Sequence, residues 1–323
     1  MNIQPLTQDL VLDSGLVTFD GYASYPLLSS DMRLNLLRDR ANSLSIGEGA
    51  TCLAAISGSQ VQGLIALRRF PWGETHFHMG MAHIELFAIH SQLSRKDAQL
   101  VRMELFESAM NWIKKHGIQH LAARIDASDQ ETVHFLEAHE FRLMDTLVTY
   151  IYNSKRYRRV SAARHIFPVR EFQASDEEAV LRLASGSFEE TRFARDIHIS
   201  RSGLNRFYED WGRRLCAGEM ADRLIVACNR HAEVVGFLGY RLDQQLFAST
   251  GLRARGGGLG AVHPRATGAY LAMIHEAFAT DHTQTDFAEL DGDIRTFSVI
   301  KIWNKLKCQQ VRVRHTLHAW LGK

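Results

Sequence analysis

The chain has 323 residues, of which 46% are hydrophobic and 23% are charged, a composition typical of a soluble globular protein with room for two domains. Its formal net charge of +2 argues against a dedicated nucleic-acid-binding protein and favours small molecules or proteins as partners. The four cysteines are scattered without a C-x-x-C pair, which argues against a disulfide framework and a structural zinc site. The start of the chain has no basic segment followed by an apolar one, and no apolar run approaches the ~20 residues of a membrane helix. We therefore expect a cytoplasmic protein that does not contact membranes.

Two similar β-hairpins are predicted, one in each half of the chain. Residues 51–70 and 223–242 each contain two runs of alternating apolar residues around a polar turn. Gly63 and Gly236 hold matching positions in the second strands of these hairpins. The match is the first indication of an internal repeat.

Both halves also end in the same order of elements. Residues 120–152 and 287–321 each contain a strand, an amphipathic helix and a β-rich continuation. The repeated order predicts an internal duplication with domains at residues 1–160 and 167–323. The fold class is α/β (α+β), and each domain has a mixed, largely antiparallel sheet flanked by helices.

The joint between the halves, around residues 153–168, is basic. It contains Lys155, Arg156, Arg158, Arg159 and Arg164. We interpret it as a solvated linker and not as a nucleic-acid contact, because no interleaved aromatic residues are present to stack on bases.

The stretch "HFHMGMAH" suggests a strand with His76 and His78 on one face and His83 nearby. Two histidines on one face could bind a metal ion. No carboxylate or cysteine follows closely enough to complete the ligand set, so we expect no metal site.

The stretch "AVHPRATGAYLAMIHEAF" predicts a strand, a turn and a helix that begins near Gly268. The first backbone N–H groups of a helix lack partners within the helix and carry the positive end of its dipole. Gly268 has no Cβ to keep an anion away from them, and Arg265 can add a charged contact. The alternative is a plain strand-to-helix connection, which the spacing alone favours.

The strand, the Arg-x-x-Gly turn and the helix resemble motif A of the GNAT acetyltransferases, which bind acetyl-CoA there. Four further stretches, "PWGETHFHMG", "SFEETRFARD", "LNRFYEDW" and "IWNKLKCQQVRVRHTLHAWL", resemble the tandem-domain type represented by dTDP-fucosamine acetyltransferase. The resemblance covers most of residues 60–323. It implies a degenerate GNAT-like domain at 1–160 and an acetyltransferase domain at 167–323. The implied reaction transfers acetyl from acetyl-CoA, as co-substrate, to a primary amine, with a nucleotide-linked amino sugar as the favoured acceptor.

The resemblance also implies which residues contact the ligands. The residues expected to contact the coenzyme are Gly260, Ala261, Val262, Arg265, Ala266, Thr267, Gly268, Ala269, Tyr270 and Thr296. Those expected to contact the acceptor are Arg192, Phe193 and Arg195. The N-terminal half has no glycine at the corresponding turn, in "HIELFAIHSQLSRKDAQLVRMELF". We therefore expect a single coenzyme site, in the C-terminal half.

The catalytic candidates are Trp303, Tyr270 and Asp291. By resemblance, Trp303 occupies the place of a tyrosine that protonates the departing thiolate, and an indole N–H cannot deliver a proton near neutral pH. Tyr270 and Asp291 could supply the acid and the base. Each also has a structural interpretation: Trp303 and Tyr270 as packing residues, and Asp291 as a solvated acid beside Glu289 and Asp293.

Further departures from the family pattern are Thr296, where an asparagine is usual, and Lys307-Cys308, where Gly-Phe is common. They leave two alternatives to an active enzyme. One is a catalytically silent GNAT fold that binds CoA or a partner protein. The other is an interaction scaffold that uses strand exchange at its C-terminal edge, and a homodimer is compatible with any of these.

Overall fold

The computed structural model describes residues 1–156 and 166–322. Three arginines of the basic joint, Arg158, Arg159 and Arg164, lie outside the described residues. The chain forms two compact units. Unit 1 is Met1–Leu147 with Val311–Lys323, and unit 2 is Val148–Gln310.

The elements alternate between helices and strands along the chain. The first half contains β1 (Asn2–Pro5), α1 (Ser30–Ile46), β2 (Ala50–Ser57), β3 (Gln60–Arg69), α2 (Pro71–Phe77), β4 (Met81–Ile89), α3 (Arg95–Lys115), β5 (His120–Asp126), α4 (Gln130–Ala138) and β6 (Arg142–Asn153). The second contains β7 (Val169–Glu171), α5 (Glu177–Gly186), α6 (Arg192–Arg195), α7 (Arg201–Cys216), β8 (Arg223–Cys228), β9 (Val234–Leu242), α8 (Gln244–Thr250), β10 (Ala254–Val262), α9 (Ala269–Asp281), β11 (Phe287–Asp293), α10 (Phe297–Lys305) and β12 (Gln309–Trp320).

The sheet of unit 1 has the strand order β1-β2-β3-β4-β5-β12. Its neighbours are antiparallel except β4 and β5, which are parallel. One face packs on the apolar sides of α3 and α4, around Leu105, Phe135 and Leu136. The other face packs on α1 through Leu37 and Leu44. Each helix thus buries its apolar stripe against one face of the sheet.

The sheet of unit 2 has the order β6-β11-β10-β9-β8-β7, with residues 148–153 of β6 at its edge. The pairs β7–β8, β8–β9 and β9–β10 are antiparallel, and β10 is parallel to β11. Helix α9 covers the face that carries Ile225 and Tyr240. Helix α7 packs on the opposite face, where Leu215 lies against Gly239. Both units confirm the predicted class of a mixed, largely antiparallel sheet flanked by helices.

The predicted domain limits at 160 and 167 stay a prediction, and the compact units cross them at two places. Residues 148–156 lie in unit 2. The closing strand β12 lies mostly in unit 1, where Arg314 to Trp320 pair with Asp126 to His120 of β5. The last strand of the sequence therefore completes the first sheet.

Matching glycines support the predicted duplication. A Cβ at Gly63 would lie 2.8 Å from Val101 of α3 and 3.0 Å from the carbonyl oxygen of Ala88. A Cβ at Gly236 would lie 3.1 Å from Met273 of α9 and 3.2 Å from the carbonyl oxygen of Ala261. In each unit the glycine permits a helix to pack closely on the hairpin.

A second repeated feature is the end of the helix that precedes the closing strand. Glu140 follows α4 with φ 67°, and Lys307 follows α10 with φ 61°. In unit 2 the next residue, Cys308, donates its N–H to the carbonyl oxygen of Trp303 at 3.0 Å. A left-handed residue of this kind is a common way to end a helix, and glycine adopts it without strain.

The strand predicted through His76 and His78 is wrong, because residues 71–77 form helix α2. Pro71 stands in the first turn, where its fixed φ and missing N–H favour a helix. Glu74 anchors the helix, since its carboxylate accepts hydrogen bonds from Arg69 at 2.7 and 3.1 Å. His83 lies on β4 instead, with its ring stacked on Phe70 at 4.7 Å.

In the described part of the chain, no helix is long and apolar enough to span a bilayer.

We predict that Lys307→Gly stabilises the protein by about 0.5–1 kcal/mol, because it removes the left-handed strain of a residue with a Cβ. Chemical denaturation measures the change. Lys301→Gly, in the interior of the same helix, is the matched control and should destabilise by about 1 kcal/mol. Equal destabilisation by both substitutions would contradict the interpretation.

Candidate functional site

The parallel strands of unit 2 are paired only at their beginnings. Ala254 pairs with Phe287 and Arg255 with Ala288, and these are the registered pairs of the two strands. Strand β10 stays paired with β9 along its other edge as far as Val262. Beyond Arg255, β10 thus has no registered partner in β11, and the region between these unpaired stretches is here called the opening.

A β-bulge lies on β10 where the opening begins. The register shifts between Gly256 and Leu259, Gly257 has φ 65°, and a Cβ at Gly258 would lie 1.5 Å from the carbonyl oxygen of Gly239. Only glycine fits at Gly258, since that contact is with backbone and cannot give way. Bulges redirect backbone groups and are frequent beside functional sites.

Helix α9 begins as the sequence predicts. Gly268 is its N-cap with φ 102°, and no side chain among the described residues caps the helix. Gly268, Arg265 and Thr267 are exposed. The preceding turn is closed by His263, whose Nδ1 accepts the N–H of Arg265 at 3.2 Å. An uncapped helix start with no Cβ at its N-cap is suited to bind an anion.

Apart from Thr296, the remaining coenzyme candidates lie on β10, in the turn after it or at the start of α9. The side chains of Ala261, Ala266 and Ala269 are buried, so these residues can offer only backbone groups. Thr296 lies before α10, and its hydroxyl donates to the carbonyl oxygen of Asp293 at 2.6 Å. That bond closes the turn after β11.

Trp303 and Tyr270 are hydrogen-bonded to each other. The indole Nε1–H of Trp303 donates to the hydroxyl oxygen of Tyr270 at 3.0 Å. Trp303 is 1% exposed and lies against β11, where a Cβ at Gly292 would be 2.8 Å from its ring. Burial raises the pKa of Tyr270 above its ordinary value and outweighs the opposing effect of the indole. The phenol therefore keeps its proton at neutral pH.

Three carboxylates share one face of β11, because side chains alternate along a strand. Asp293 is buried and takes two bonds of 2.7 Å from Arg295, which makes it a structural acid. Asp291 is exposed and accepts a hydrogen bond from Thr149. Glu289 is half-buried beside Gly256. Asp291 is thus the most accessible of the three.

The acceptor candidates lie on and beside α6. Phe193 is buried and packs edge-on against Phe207 at 5.4 Å, so its side chain anchors the segment. The guanidinium of Arg192 lies 4.4 Å above the ring of Phe193. Arg195 is exposed and paired with Glu190.

Unit 1 has the same strand-to-helix connection, but its own side chains fill it. Ser94 caps α3 by accepting the N–H of Asp97 at 3.2 Å, and its hydroxyl donates to the carboxylate of Asp97 at 2.7 Å. That capping bond and the negative charge beside it disfavour an anion at this helix start.

The bulge of unit 1 also differs. The register of β3 and β4 shifts at Glu85, whose carboxylate accepts a hydrogen bond from Arg40 at 2.8 Å. Burial acts to raise the pKa of Glu85, but His83 and Arg40 outweigh it and hold the pKa below its ordinary value. A carboxylate therefore stands in unit 1 where unit 2 has bare backbone.

Solved structures similar to this chain share one fold. A GCN5-related N-acetyltransferase from Sphaerobacter thermophilus aligns with a TM-score of 0.61 at 12% identity, over 90% of this chain and 86% of that one. A tandem GNAT protein from the clavulanic acid biosynthesis pathway aligns with a TM-score of 0.52 at 16% identity, over 88% of each chain. The chain has the fold of the GNAT acetyltransferases.

Two other relatives extend the comparison. The glucosamine N-acetyltransferase region of a fungal multi-domain β-N-acetylglucosaminidase aligns with a TM-score of 0.63 at 13% identity, over 98% of this chain and 38% of that one. The spore coat polysaccharide biosynthesis protein SpsD of Bacillus subtilis is 21% identical over 276 residues, which are 84% of this chain and 88% of that protein. No protein-family model matches the chain.

Some features of this GNAT fold could not be found from the sequence. The pairing of Trp303 with Tyr270 joins two helices, and the position of Glu85 at a bulge depends on strand register. Nothing in the sequence around Arg295 points to its distant partner Glu190. The run of glycines at 256–258 was the one local signal for the bulge.

We predict that Glu85→Gln destabilises unit 1 by about 1–3 kcal/mol at pH 7, because Arg40 loses an ionised partner. A carboxyl whose pKa is lower in the folded state stabilises above its unfolded pKa and loses that effect as pH falls. The cost should therefore shrink as the pH drops below about 4.5, the ordinary value for this group. Urea denaturation at several pH values measures it.

Glu48→Gln is the matched control, since Glu48 is exposed in the same unit. It should change the free energy of unfolding by less than about 0.5 kcal/mol at every pH. A cost for Glu85→Gln that stayed constant with pH would contradict the assignment of an ionised, paired carboxylate.

Proposed function

We propose that unit 2 is an N-acetyltransferase that moves acetyl from acetyl-CoA to the primary amine of an amino sugar, with a nucleotide-linked sugar as the favoured acceptor. The observation that carries the proposal is the combination of a glycine bulge at 256–258 with an uncapped helix start at Gly268. Both features border the opening between β10 and β11.

The residues at this opening fit the coenzyme. A diphosphate fits the helix start because Gly268 has no Cβ and the φ of 102° turns the backbone away from the helix axis. Arg265 and Thr267 in the turn, and the backbone N–H of Tyr270 in the first turn of α9, would complete the contacts. Backbone groups of Gly260 to Val262 would hold the pantetheine arm, in the manner of an added strand.

Acetyl-CoA supplies the acetyl group as a thioester. The backbone N–H groups after the bulge donate to the carbonyl oxygen as negative charge builds there, and fixed donors of this kind contribute several kcal/mol in an enclosed site. Asp291 accepts the proton that the amine must lose. Its exposure keeps it in reach of an acceptor that enters from this face of β11.

Tyr270 donates the proton that the departing sulfur needs. Its raised pKa keeps the phenol protonated, and the indole N–H of Trp303 occupies its oxygen at 3.0 Å. That bond directs the phenolic O–H away from Trp303. Trp303 is therefore a positioning residue: it stands where a tyrosine is usual and orients Tyr270, which is the acid.

The identity of the acceptor is supported by the relatives and by charge. One relative takes part in polysaccharide biosynthesis and another is a glucosamine N-acetyltransferase region. Arg192 and Arg195 would contact phosphate groups of the acceptor, while Phe193 holds their segment in place.

A second candidate is a silent GNAT fold that binds CoA without turnover. The burial of Trp303 at the place of the usual acid favours it. This candidate and the enzyme share coenzyme binding and differ in the release of free CoA thiol.

The deciding experiment measures thiol release from acetyl-CoA with nucleotide-linked amino sugars, free glucosamine and the same nucleotide sugars without an amine. We expect release only with the amines. Tyr270→Phe should lower kcat by about 10²–10⁴-fold, and Trp303→Phe should lower it less. Tight CoA binding with no amine-dependent release would favour the silent fold.

We predict that Gly268→Asp weakens CoA affinity by at least about 100-fold, because a carboxylate and a strained Cβ would stand at the diphosphate site. Isothermal titration calorimetry measures the affinity. Gly218→Asp is the matched control, since Gly218 is exposed, has φ 75° and has open space around it. It should change CoA affinity by less than about 3-fold. Equal CoA affinity in wild type and Gly268→Asp would refute a diphosphate site at the start of α9.

A further inference from the structure

The segment before α7 is held to the rest of unit 2 by two aromatic anchors. Phe188 stacks on Tyr208 with ring centroids 4.4 Å apart and planes at 19°. Phe193 packs against Phe207. Glu190 lies between the anchors and is exposed. The anchors therefore fix the ends of a short exposed loop and leave its centre at the surface.

Two guanidinium groups converge on one carboxylate oxygen of Glu190. Arg195 pairs with Oε2 through its Nη2, and Nη1 of Arg295 lies 3.6 Å from the same oxygen. Nη2 of Arg295 also donates to the backbone carbonyl oxygen of Glu190 at 2.8 Å. An anionic oxygen shared by two guanidiniums is the arrangement that proteins use to bind phosphate.

Arg295 is held firmly, whereas Glu190 is not. Arg295 donates two hydrogen bonds of 2.7 Å to Asp293, which is 8% exposed, and these bonds fix the guanidinium at the end of β11. The side chains of Glu190 and Arg195 are 53% and 43% exposed. Exposed ion pairs contribute little to stability. A phosphate, with more charge and more acceptor oxygens, can therefore displace the carboxylate at small cost.

We propose that Arg195 and Arg295 form an anion subsite for a phosphate or diphosphate group of the acceptor, and that Glu190 occupies it until the acceptor binds. The inference rests on the proposed function for the identity of the acceptor. The subsite lies at the end of the strand that carries the proposed base, because Asp293, which fixes Arg295, follows Asp291 by two residues on β11.

The test titrates inorganic pyrophosphate into the full-length protein by calorimetry. Coenzyme A is present to occupy the proposed diphosphate site at the start of α9. The titration is repeated in Gly268→Asp, where that site is blocked. We expect Glu190→Gln to tighten pyrophosphate binding by about 5-fold or more, because the competing charge is gone. Arg295→Ala should weaken it by about 10-fold or more, and Arg295→Lys should lie between Ala and wild type.

Glu189→Gln is the matched control, since Glu189 is the neighbouring exposed acid and pairs with Arg201 at 3.6 Å. It should change the pyrophosphate affinity by less than about 2-fold. Unchanged or weaker binding in Glu190→Gln would overturn the subsite and leave Glu190 as a brace of the loop. The two proposals fail separately: acetyl transfer without a Glu190 effect refutes the subsite alone, and a Glu190 effect without acetyl transfer refutes the enzyme alone.

Discussion

The site in unit 2 depends on a steric constraint between two strands. β10 passes so close to β9 that a Cβ at Gly258 would nearly coincide with the carbonyl oxygen of Gly239. Because the atom that a Cβ would meet belongs to backbone and cannot move aside, the sequence must place glycine there. The close approach lies within the bulge, where the register of β10 against β9 shifts. The helix that follows, α9, begins at Gly268, whose left-handed backbone conformation only glycine adopts easily.

Unit 1 shows what the same framework becomes without those glycines. Its two parallel strands also have few registered pairs, and its main helix packs on the hairpin over Gly63. Yet Glu85 stands at its bulge and Ser94 caps its helix. Ser94 accepts a backbone N–H at the start of α3, and Glu85 places a paired carboxylate at the bulge. Both units thus share the glycine that lets a helix pack on the hairpin, and they differ in the side chains at the bulge and at the helix start.

Sequence patterns predicted the features that are local. Alternating apolar residues predicted both hairpins, and the stretch "AVHPRATGAYLAMIHEAF" predicted α9 with its start near Gly268. The patterns failed at α2, where Pro71 outweighed an apparent strand alternation. They could not reveal the bond between Trp303 and Tyr270 or that between Arg295 and Glu190, because those partners are brought together only by the packing of distant elements. Strand β12 is predicted correctly as an element, but its pairing with β5 depends on the folded sheet.

We propose that the bare backbone of unit 2 forms one coenzyme site in each chain. Calorimetric titration of the full-length wild-type protein with coenzyme A tests this through the stoichiometry of binding. One equivalent should bind per chain. No binding at millimolar coenzyme A, or two equivalents per chain, would contradict it.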